Sequence, residues 1–361
     1  MKLSFINLKS QYQKYGAEIQ KELLAVMDAT AFIQGPYVKS LEQSLSDFTG
    51  AKHSIACSSG TDALLLALLA IDFKAGDEVI TTPFTFVSTA EVIHLLGGKA
   101  VFVDIEKDTY NMDATLIEAK ITSKTRAIMP VSLFGQTADM DLINAIAEKH
   151  RLVVIEDSAQ SFGAKYKGKR SCNLSTLACT SFYPAKPLGC YGDGGAVFTG
   201  RDDWNVKIRS ILNHGQVRQY IYEHVGVNGR LDGMQAAVLN VKLKYFEHEI
   251  TEREKRAKRY QEALSGKSIV LPTLRPERSS VYAQYSVRVK NRDEFQKKLA
   301  EAGVPTAIYY PVPLHQQKPY LQTGNFSVTD QVAREIISLP FCAFLSEQDQ
   351  AFVCEQVIKI L

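Results

Sequence analysis

Residues 152–163 read LVVIEDSAQSFG, an unbroken apolar run that ends in two adjacent acids and then a polar loop. A run without polar alternation is the pattern of a strand buried on both faces. Leu152–Glu156 is therefore expected to be an interior strand, with Asp157 at its C-terminal edge. Similar runs occur on either side, at His53–Ser58, Glu78–Thr82, Ala100–Asp104, Arg126–Leu133, Ala178–Phe182 and Ala196–Thr199. Helical patterns fit between many of them, at Thr61–Ile71, Ser88–Leu96, Asp113–Ala119 and Met140–His150. Such alternation predicts an α/β fold with a mostly parallel seven-stranded sheet and helices on both faces. Right-handed crossovers then align the strand C-terminal ends along one edge, where ligands bind.

The pattern changes near residue 246. Phe246–Leu264 reads as a long charged helix and Ser265–Ser280, with Gly266, Pro272 and Pro276, as a loop. A strand at Tyr282–Val289, a helix at Arg292–Ala302, the segment Ala307–Pro313 and a helix at Glu347–Leu361 complete a smaller α/β unit. The expected division is a large domain over residues 1–245 and a small C-terminal domain over 246–361, and the extreme N-terminus is free to pack on the small one.

Composition narrows the function. The 361 residues carry a net charge of only +3, which gives nucleic acid or a membrane surface no electrostatic claim as main partner. The longest apolar run, Ala63 to Ile71, is too short to span a bilayer. The six cysteines form no CxxC pair and have no nearby histidine cluster, so neither zinc ligation nor a disulfide framework is expected. No metal is expected, and a reducing cytoplasm is the default location.

Four segments at strand exits carry chemistry. Asp157 ends the first-quoted run; its ordinary reading is a helix cap. In Thr180–Gly195 (TSFYPAKPLGCYGDGG), Lys186 sits between Pro184 and Pro187 and is followed by Gly189, Gly192, Gly194 and Gly195. Prolines exclude a helix interior, so this constrained loop holds one long side chain in place. The glycines do not make a dinucleotide fingerprint, because Val197 stands where the third glycine belongs. Ser58–Leu69 (SSGTDALLLALL) presents a helix N-terminus, a ready anion site or a simple cap by Ser59 or Thr61. Thr81–Thr89 (TTPFTFVST) brings Phe84 and Phe86 to another strand exit. Together they supply an anion cradle, a flat aromatic, a carboxylate and a lysine. That set suits pyridoxal 5'-phosphate, whose aldehyde condenses with a lysine and whose ring nitrogen is kept protonated by a carboxylate.

The same residues resemble the sugar aminotransferases of the DegT/DnrJ/EryC1/StrS family, pyridoxal-phosphate enzymes of fold type I. The likeness runs nearly end to end, through Phe5-Ile6-Asn7-Leu8, Gly35-Pro36, SSGTDAL, TTPFTFVSTAE, IEDSAQSFGA, SFYPAKPLGCYGDGG, VGVNGRLDGMQAA and YYPVPLH. It implies that Lys186 carries the cofactor as a Schiff base and then moves the proton between substrate carbon and cofactor. By the same resemblance Asp157 pairs with the ring nitrogen, Gln160 contacts the ring face or its hydroxyl, and Phe86 stacks on the ring. Gly60, Thr61 and Ser181 would hold the phosphate. Asn228 would reach the phosphate from a neighbouring subunit, making a homodimer with a shared active site, and Arg230 would face the sugar nucleotide.

Within the family, residues 166–199 look closest to enzymes that aminate a UDP-linked N-acetylated 3-keto-hexuronate, with an amino acid, glutamate by precedent, as donor. That branch serves bacterial surface polysaccharide such as lipopolysaccharide O-antigen. The chain departs from the branch around the sugar. Ala185 stands where serine is expected before the lysine, Tyr309 replaces a histidine before Tyr310, and Phe32 replaces a tyrosine. A 4-keto-6-deoxy UDP-sugar therefore stays open as the acceptor. Three rivals are a PLP-dependent sugar dehydratase, in which histidine usually replaces the lysine, a non-catalytic binder and a Rossmann dehydrogenase. His214 and His315 are candidates for substrate contact, and Cys190 is expected close to the cofactor.

Overall fold

The computed structural model describes residues 3–361. Helices α1 (Leu8–Asp28) and α2 (Gly35–Thr49) lead into strand β1 (His53–Cys57) and helix α3 (Gly60–Ala70). Strand β2 (Glu78–Thr81), helix α4 (Ser88–Leu95), strands β3 (Lys99–Phe102) and β4 (Thr125–Ile128), helix α5 (Met140–His150) and strand β5 (Val153–Asp157) follow. A short hairpin, β6 (Lys165–Tyr166) and β7 (Lys169–Arg170), precedes β8 (Leu177–Ser181) and β9 (Gly195–Thr199).

Seven of these strands form one sheet in the order β1-β9-β8-β5-β4-β2-β3. Only β9 runs against the rest, antiparallel to both β1 and β8. Helices cover both faces because alternate residues of each strand enter different cores. Ile55 and Cys57 join Leu64, Leu66, Val79, Ile155 and Val197 on the side of α3 and α4. Ala56, Ala178 and Phe198 join Leu41, Leu45, Phe162 and Phe246 on the opposite side. Each fully buried Leu, Ile or Phe contributes about 1.5–3 kcal/mol relative to exposure. This two-sided burial is why the strands carry no polar alternation.

Helix α6 (Asp202–Ile211) and a second hairpin, β10 (Gln216–Arg218) and β11 (Ile221–Tyr222), lead to α7 (Gly233–Leu264). That helix is 32 residues long. Its first half packs Ala236, Leu239 and Phe246 against the large sheet's core. Its last turns place Ala257, Tyr260 and Leu264 in the core of the C-terminal unit. There β12 (Tyr285–Arg288) pairs antiparallel with β13 (Ile336–Leu339), flanked by α8 (Arg292–Glu301) and α10 (Glu347–Ile360); α9 (Ser327–Glu335) lies between. Leu3 and Ile6 pack on this core, and the Phe341 N–H donates to the Phe5 carbonyl at 3.1 Å.

Four expectations need correction. Asp113–Ala119 is not a helix but two 3₁₀ turns, Ala114–Leu116 and Glu118–Lys120. Asp113 Oδ1 takes both the N–H and the hydroxyl of Thr115, a local bond that competes with the helical ladder. The strand expected over Arg126–Leu133 ends at Ile128, because Pro130 cannot donate to the ladder. The charged helix begins at Gly233 rather than Phe246, and the strand expected from Tyr282 starts at Tyr285, since Tyr282 has φ of +43°.

Candidate active site

One cleft of about 750 Å³ lies at the C-terminal ends of β1, β2, β5 and β8. Gly60, Thr61, Phe86, Asp157, Gln160, Ser181, Ala185, Lys186, Tyr309 and Tyr310 all line it. Phe32, Asn228 and Arg230 do not. They sit on a neighbouring surface, where the Phe32 carbonyl accepts from the Gly233 N–H at 2.7 Å and Arg230 Nη1 donates to Asn213 Oδ1 at 2.6 Å. Asn228 bridges Asn213 on the same surface.

Asp157 is the last residue of β5, and its side chain is 6% exposed. Thr89 Oγ1 donates to its Oδ2 at 2.9 Å, and the Ala159 N–H to its Oδ1 at 3.2 Å. Burial pushes the carboxyl above its usual range, while these bonds and the nearby Lys186 pull it back. Burial lowers Lys186 below an ordinary lysine, and Asp157 opposes that shift. The environment thus makes Lys186 less basic than an ordinary lysine, which raises the share of its nucleophilic amine.

The loop carrying Lys186 is fixed by its own backbone. The Lys186 N–H donates to the Tyr183 carbonyl at 2.8 Å, Cys190 N–H to Phe182 at 2.8 Å, and Phe182 N–H to Gly194 at 2.7 Å. At Gly189 a Cβ would lie 2.6 Å from both the Tyr183 and Pro184 carbonyl oxygens, so the fold of the loop requires glycine. Lys242 reaches from α7 to donate to the Gly189 carbonyl.

Ser59 caps α3, accepting from the Asp62 N–H at 3.0 Å, and leaves the first helical N–H groups, from Gly60 on, facing the cleft. Ser181 stands beside them: a Cβ on Gly60 would come within 2.6 Å of Ser181 Cβ. Across from them, Thr61 and Ser88 hydroxyls meet at 2.7 Å. A helix N-terminus ringed by three hydroxyls is a phosphate-sized anion cradle. Gln160 is oriented at both ends, accepting from the Phe134 N–H at 2.9 Å and donating to the Tyr310 hydroxyl at 3.2 Å. Phe86, 55% exposed, faces Tyr310 with ring centroids 6.5 Å apart, whereas Phe84 is core. Cradle, buried carboxylate, exposed aromatic face and buried amine together fit a phosphorylated pyridine aldehyde.

Two secondary expectations are not met in the cleft of the single chain. His315 is buried and paired with Asp330 at 3.2 Å, and neither it nor His214 lines the cleft. Cys190 is turned away, its thiol donating to the Phe182 and Gly192 carbonyls, and burial pushes it up to about 11; Cys179 is the cysteine that borders the cleft. Sequence reasoning passed over Ser88, Thr89 and Gln284. The first two lie within the quoted TTPFTFVST segment, where hydroxyls next to the aromatics were the available signal. Among the described residues no cluster could hold a metal, all six cysteines are free and buried, and no helix is long and apolar enough to cross a membrane.

Comparison with known proteins agrees with this geometry. Residues 13–358 match the DegT/DnrJ/EryC1/StrS aminotransferase family. The chain is 50% identical to the UDP-2-acetamido-2-deoxy-3-oxo-D-glucuronate aminotransferase of Pseudomonas aeruginosa, over 98% of each protein. A DegT DnrJ EryC1 StrS aminotransferase from Brucella abortus superposes with TM-score 0.96 at 40% identity, over 98% of both chains. NtdA from Bacillus subtilis, solved with bound cofactor PMP, gives TM-score 0.90 at 29% identity, over 96% of this chain and 82% of its own.

Proposed function

The chain belongs to the DegT/DnrJ/EryC1/StrS aminotransferase family, and from that premise we propose that it is a pyridoxal-phosphate-dependent sugar-nucleotide aminotransferase. It moves an amino group from an amino acid, glutamate as first donor, to the ketone of a UDP-linked N-acetylated sugar, the 3-keto-hexuronate as first acceptor. The observation that carries this is the buried Lys186–Asp157 pair in one cleft with the anion cradle of Gly60, Thr61 and Ser181.

When bound, pyridoxal phosphate supplies an aldehyde that captures amines and a ring that withdraws electrons from the adjoining carbon. The chain supplies the rest. Gly60 and Thr61 offer backbone N–H groups, and Ser181 a hydroxyl, to the phosphate. Asp157, whose Oδ2 accepts from Thr89, would pair with the protonated ring nitrogen. Gln160 is held where it would lie beside the ring, and Phe86 would cover one face. Lys186 Nζ, made less basic by burial, would hold the aldehyde and would take and return the proton at the reacting carbon. Ala185, Tyr309 and Tyr310 border the sugar's side of the cleft.

We read Phe32, Asn228 and Arg230 as acting across a two-fold interface, in the cleft of a second copy. Exposed apolar residues beside them support this: Tyr220 is 75% and Val225 93% exposed. We read the two units joined by α7 as separate domains, and a cytoplasmic location suits a nucleotide-sugar substrate.

The deciding experiment is the visible spectrum of the chain loaded with pyridoxal phosphate. A band that is absent in Lys186→Ala and bleached by glutamate is the expected result. A wild-type chain without a band overturns the proposal.

A further inference from the structure

Gln284 lies just before β12 and borders two spaces. One is the active-site cleft; the other is a separate cavity of about 30 Å³ beside Phe134 and Ser286. Its Oε1 is buried and has no hydrogen-bond partner. Of the residues lining the cleft, Gln284 alone carries such an orphaned atom. Two other polar pairs of the cleft are satisfied within the chain: Gln160 accepts from the Phe134 N–H and donates to the Tyr310 hydroxyl, and the Thr61 and Ser88 hydroxyls meet. A buried carbonyl without a donor is unfavourable, and its retention calls for a partner that arrives from outside.

The backbone leading to this amide is fixed by the protein itself. Val281 N–H donates to the Gly135 carbonyl at 3.0 Å, and Arg253 Nη1 to the Tyr282 carbonyl at 3.1 Å. Gly135, at φ +113°, lets that approach happen, since a Cβ there would lie 2.4 Å from the Tyr282 nitrogen. The segment that carries the amide is therefore set before any substrate enters.

We propose that Gln284 is a specificity-determining residue that reads the sugar half of the reaction, its Oε1 accepting from a hydroxyl or N-acetyl N–H next to the reacting carbon. This rests on the aminotransferase reading above. The chemistry of the two substrates separates them. Glutamate carries two carboxylates, which only accept, and one ammonium, which is consumed at the reacting centre. An orphaned acceptor has nothing to take from the carboxylates. A hexose presents donors at the carbons flanking its ketone. A site built to hydrogen-bond such a group discriminates strongly against analogues that lack it.

Both half-reactions bleach the same visible band, so they can be compared in one protein by single-turnover mixing. One arm uses glutamate and the other UDP-2-acetamido-3-amino-2,3-dideoxyglucuronate, the amino-sugar run in reverse. In Gln284→Leu the concentration of amino-sugar needed for half-maximal rate rises about tenfold or more. The glutamate arm stays within about twofold. Gln284→Glu, which keeps an acceptor at that position, retains more of the amino-sugar rate than the leucine variant. Thermal midpoints of the unloaded chains are measured alongside, and Gln284→Met replaces the leucine variant if that one does not fold.

An amino-sugar arm that is unchanged overturns the proposal. If the thermal midpoint has then fallen, the Oε1 belongs to a water held in the small cavity. Equal losses in both arms overturn it too, because Gln284 then shapes the cleft as a whole. Failure of the underlying reading looks different: the wild-type protein itself shows no band, or neither substrate bleaches it.

Discussion

Thr89 Oγ1 donates to Asp157 Oδ2 across 2.9 Å, joining the first turn of α4 to the end of β5. Thr85 stands behind it, the two hydroxyls 3.0 Å apart, and both threonines are buried. The bond fixes the carboxylate's plane and favours its charged form against burial. Thr89→Val keeps the shape and removes the donor. Asp157 then charges less readily and offers less to a protonated ring. Affinity for pyridoxal phosphate is expected to fall about tenfold, the equivalent of one charge-assisted hydrogen bond of about 1.5 kcal/mol, with little change in thermal midpoint of the unloaded chain. Titration of the visible band measures it, and an unchanged affinity would remove Thr89 from the site.

The lowered basicity of Lys186 sets the pH at which the chain captures the cofactor. Only the free amine attacks an aldehyde, so the loading rate rises with pH and levels off once the ammonium is gone. Burial places that inflection below 10.5, the value of an ordinary lysine, while the charge on Asp157 holds it up. Asp157→Asn removes the opposing charge and is expected to shift the inflection lower still. Stopped-flow loading across pH measures both, and an inflection in wild type at or above that of free lysine contradicts the reading.

Gly60 is required where the phosphate is expected. A methyl there would press within 2.6 Å of Ser181 Cβ, at the edge of the cradle. Gly60→Ala is expected to weaken pyridoxal phosphate at least about tenfold. Pyridoxal, which lacks the phosphate, should lose no more than about twofold. Equal losses for both ligands would move the damage from the anion site to the ring site.

Much of this site can be read from the chain because its residues are local to strand ends. Asp157 follows a continuous apolar strand, and Lys186 is bracketed by prolines, so each announces its place without knowledge of the fold. Thr89 and Gln284 do not. Thr89 meets Asp157 across 68 residues of sequence, and nothing in its neighbours indicates which carboxylate it will face. Gln284 lies on an ordinary-looking strand approach, and its orphaned oxygen exists only once Gly135 has closed on Tyr282. The element errors have local causes too. An apolar count carries the fourth strand through Pro130, where the ladder breaks, and counts Asp113–Ala119 as helix although Asp113 binds Thr115 instead. Asn228 and Arg230 are legible by resemblance alone, and the single chain leaves them outside the cleft.

The proposal that the site is shared across a two-fold interface makes Arg230 testable by complementation. In a mixed dimer of Lys186→Ala and Arg230→Ala chains, one cleft receives both substitutions and the other neither. Two inactive proteins, co-expressed and separated by different tags, should therefore recover about half the activity of a wild-type dimer. No recovery in a purified mixed dimer would place Arg230 in the same chain's cleft, or in none.

Lys242 links the Lys186 loop to the scaffold and should leave a mark on stability. It is 2% exposed on α7, donates to the Gly189 carbonyl and lies 5.3 Å from the centroid of the Tyr191 ring. Burial pulls its ammonium down to about 8, with Glu249 opposing the shift. Glu249 is itself held by Gln11, whose Nε2 lies 3.1 and 3.2 Å from its two oxygens. Between pH 8 and the ordinary lysine value of 10.5, the unfolded chain holds a proton on Lys242 that the folded chain has released. Stability then rises with pH, and the contribution is lost as pH falls through 8. Lys242→Met removes the titration and keeps most of the volume. The stability of wild type relative to this variant, measured by urea unfolding, should increase by about 2 kcal/mol from about pH 8 to about pH 10. A difference that stays flat would mean that Lys242 remains protonated in the fold, with its charge carried by Glu249 and the Gly189 carbonyl.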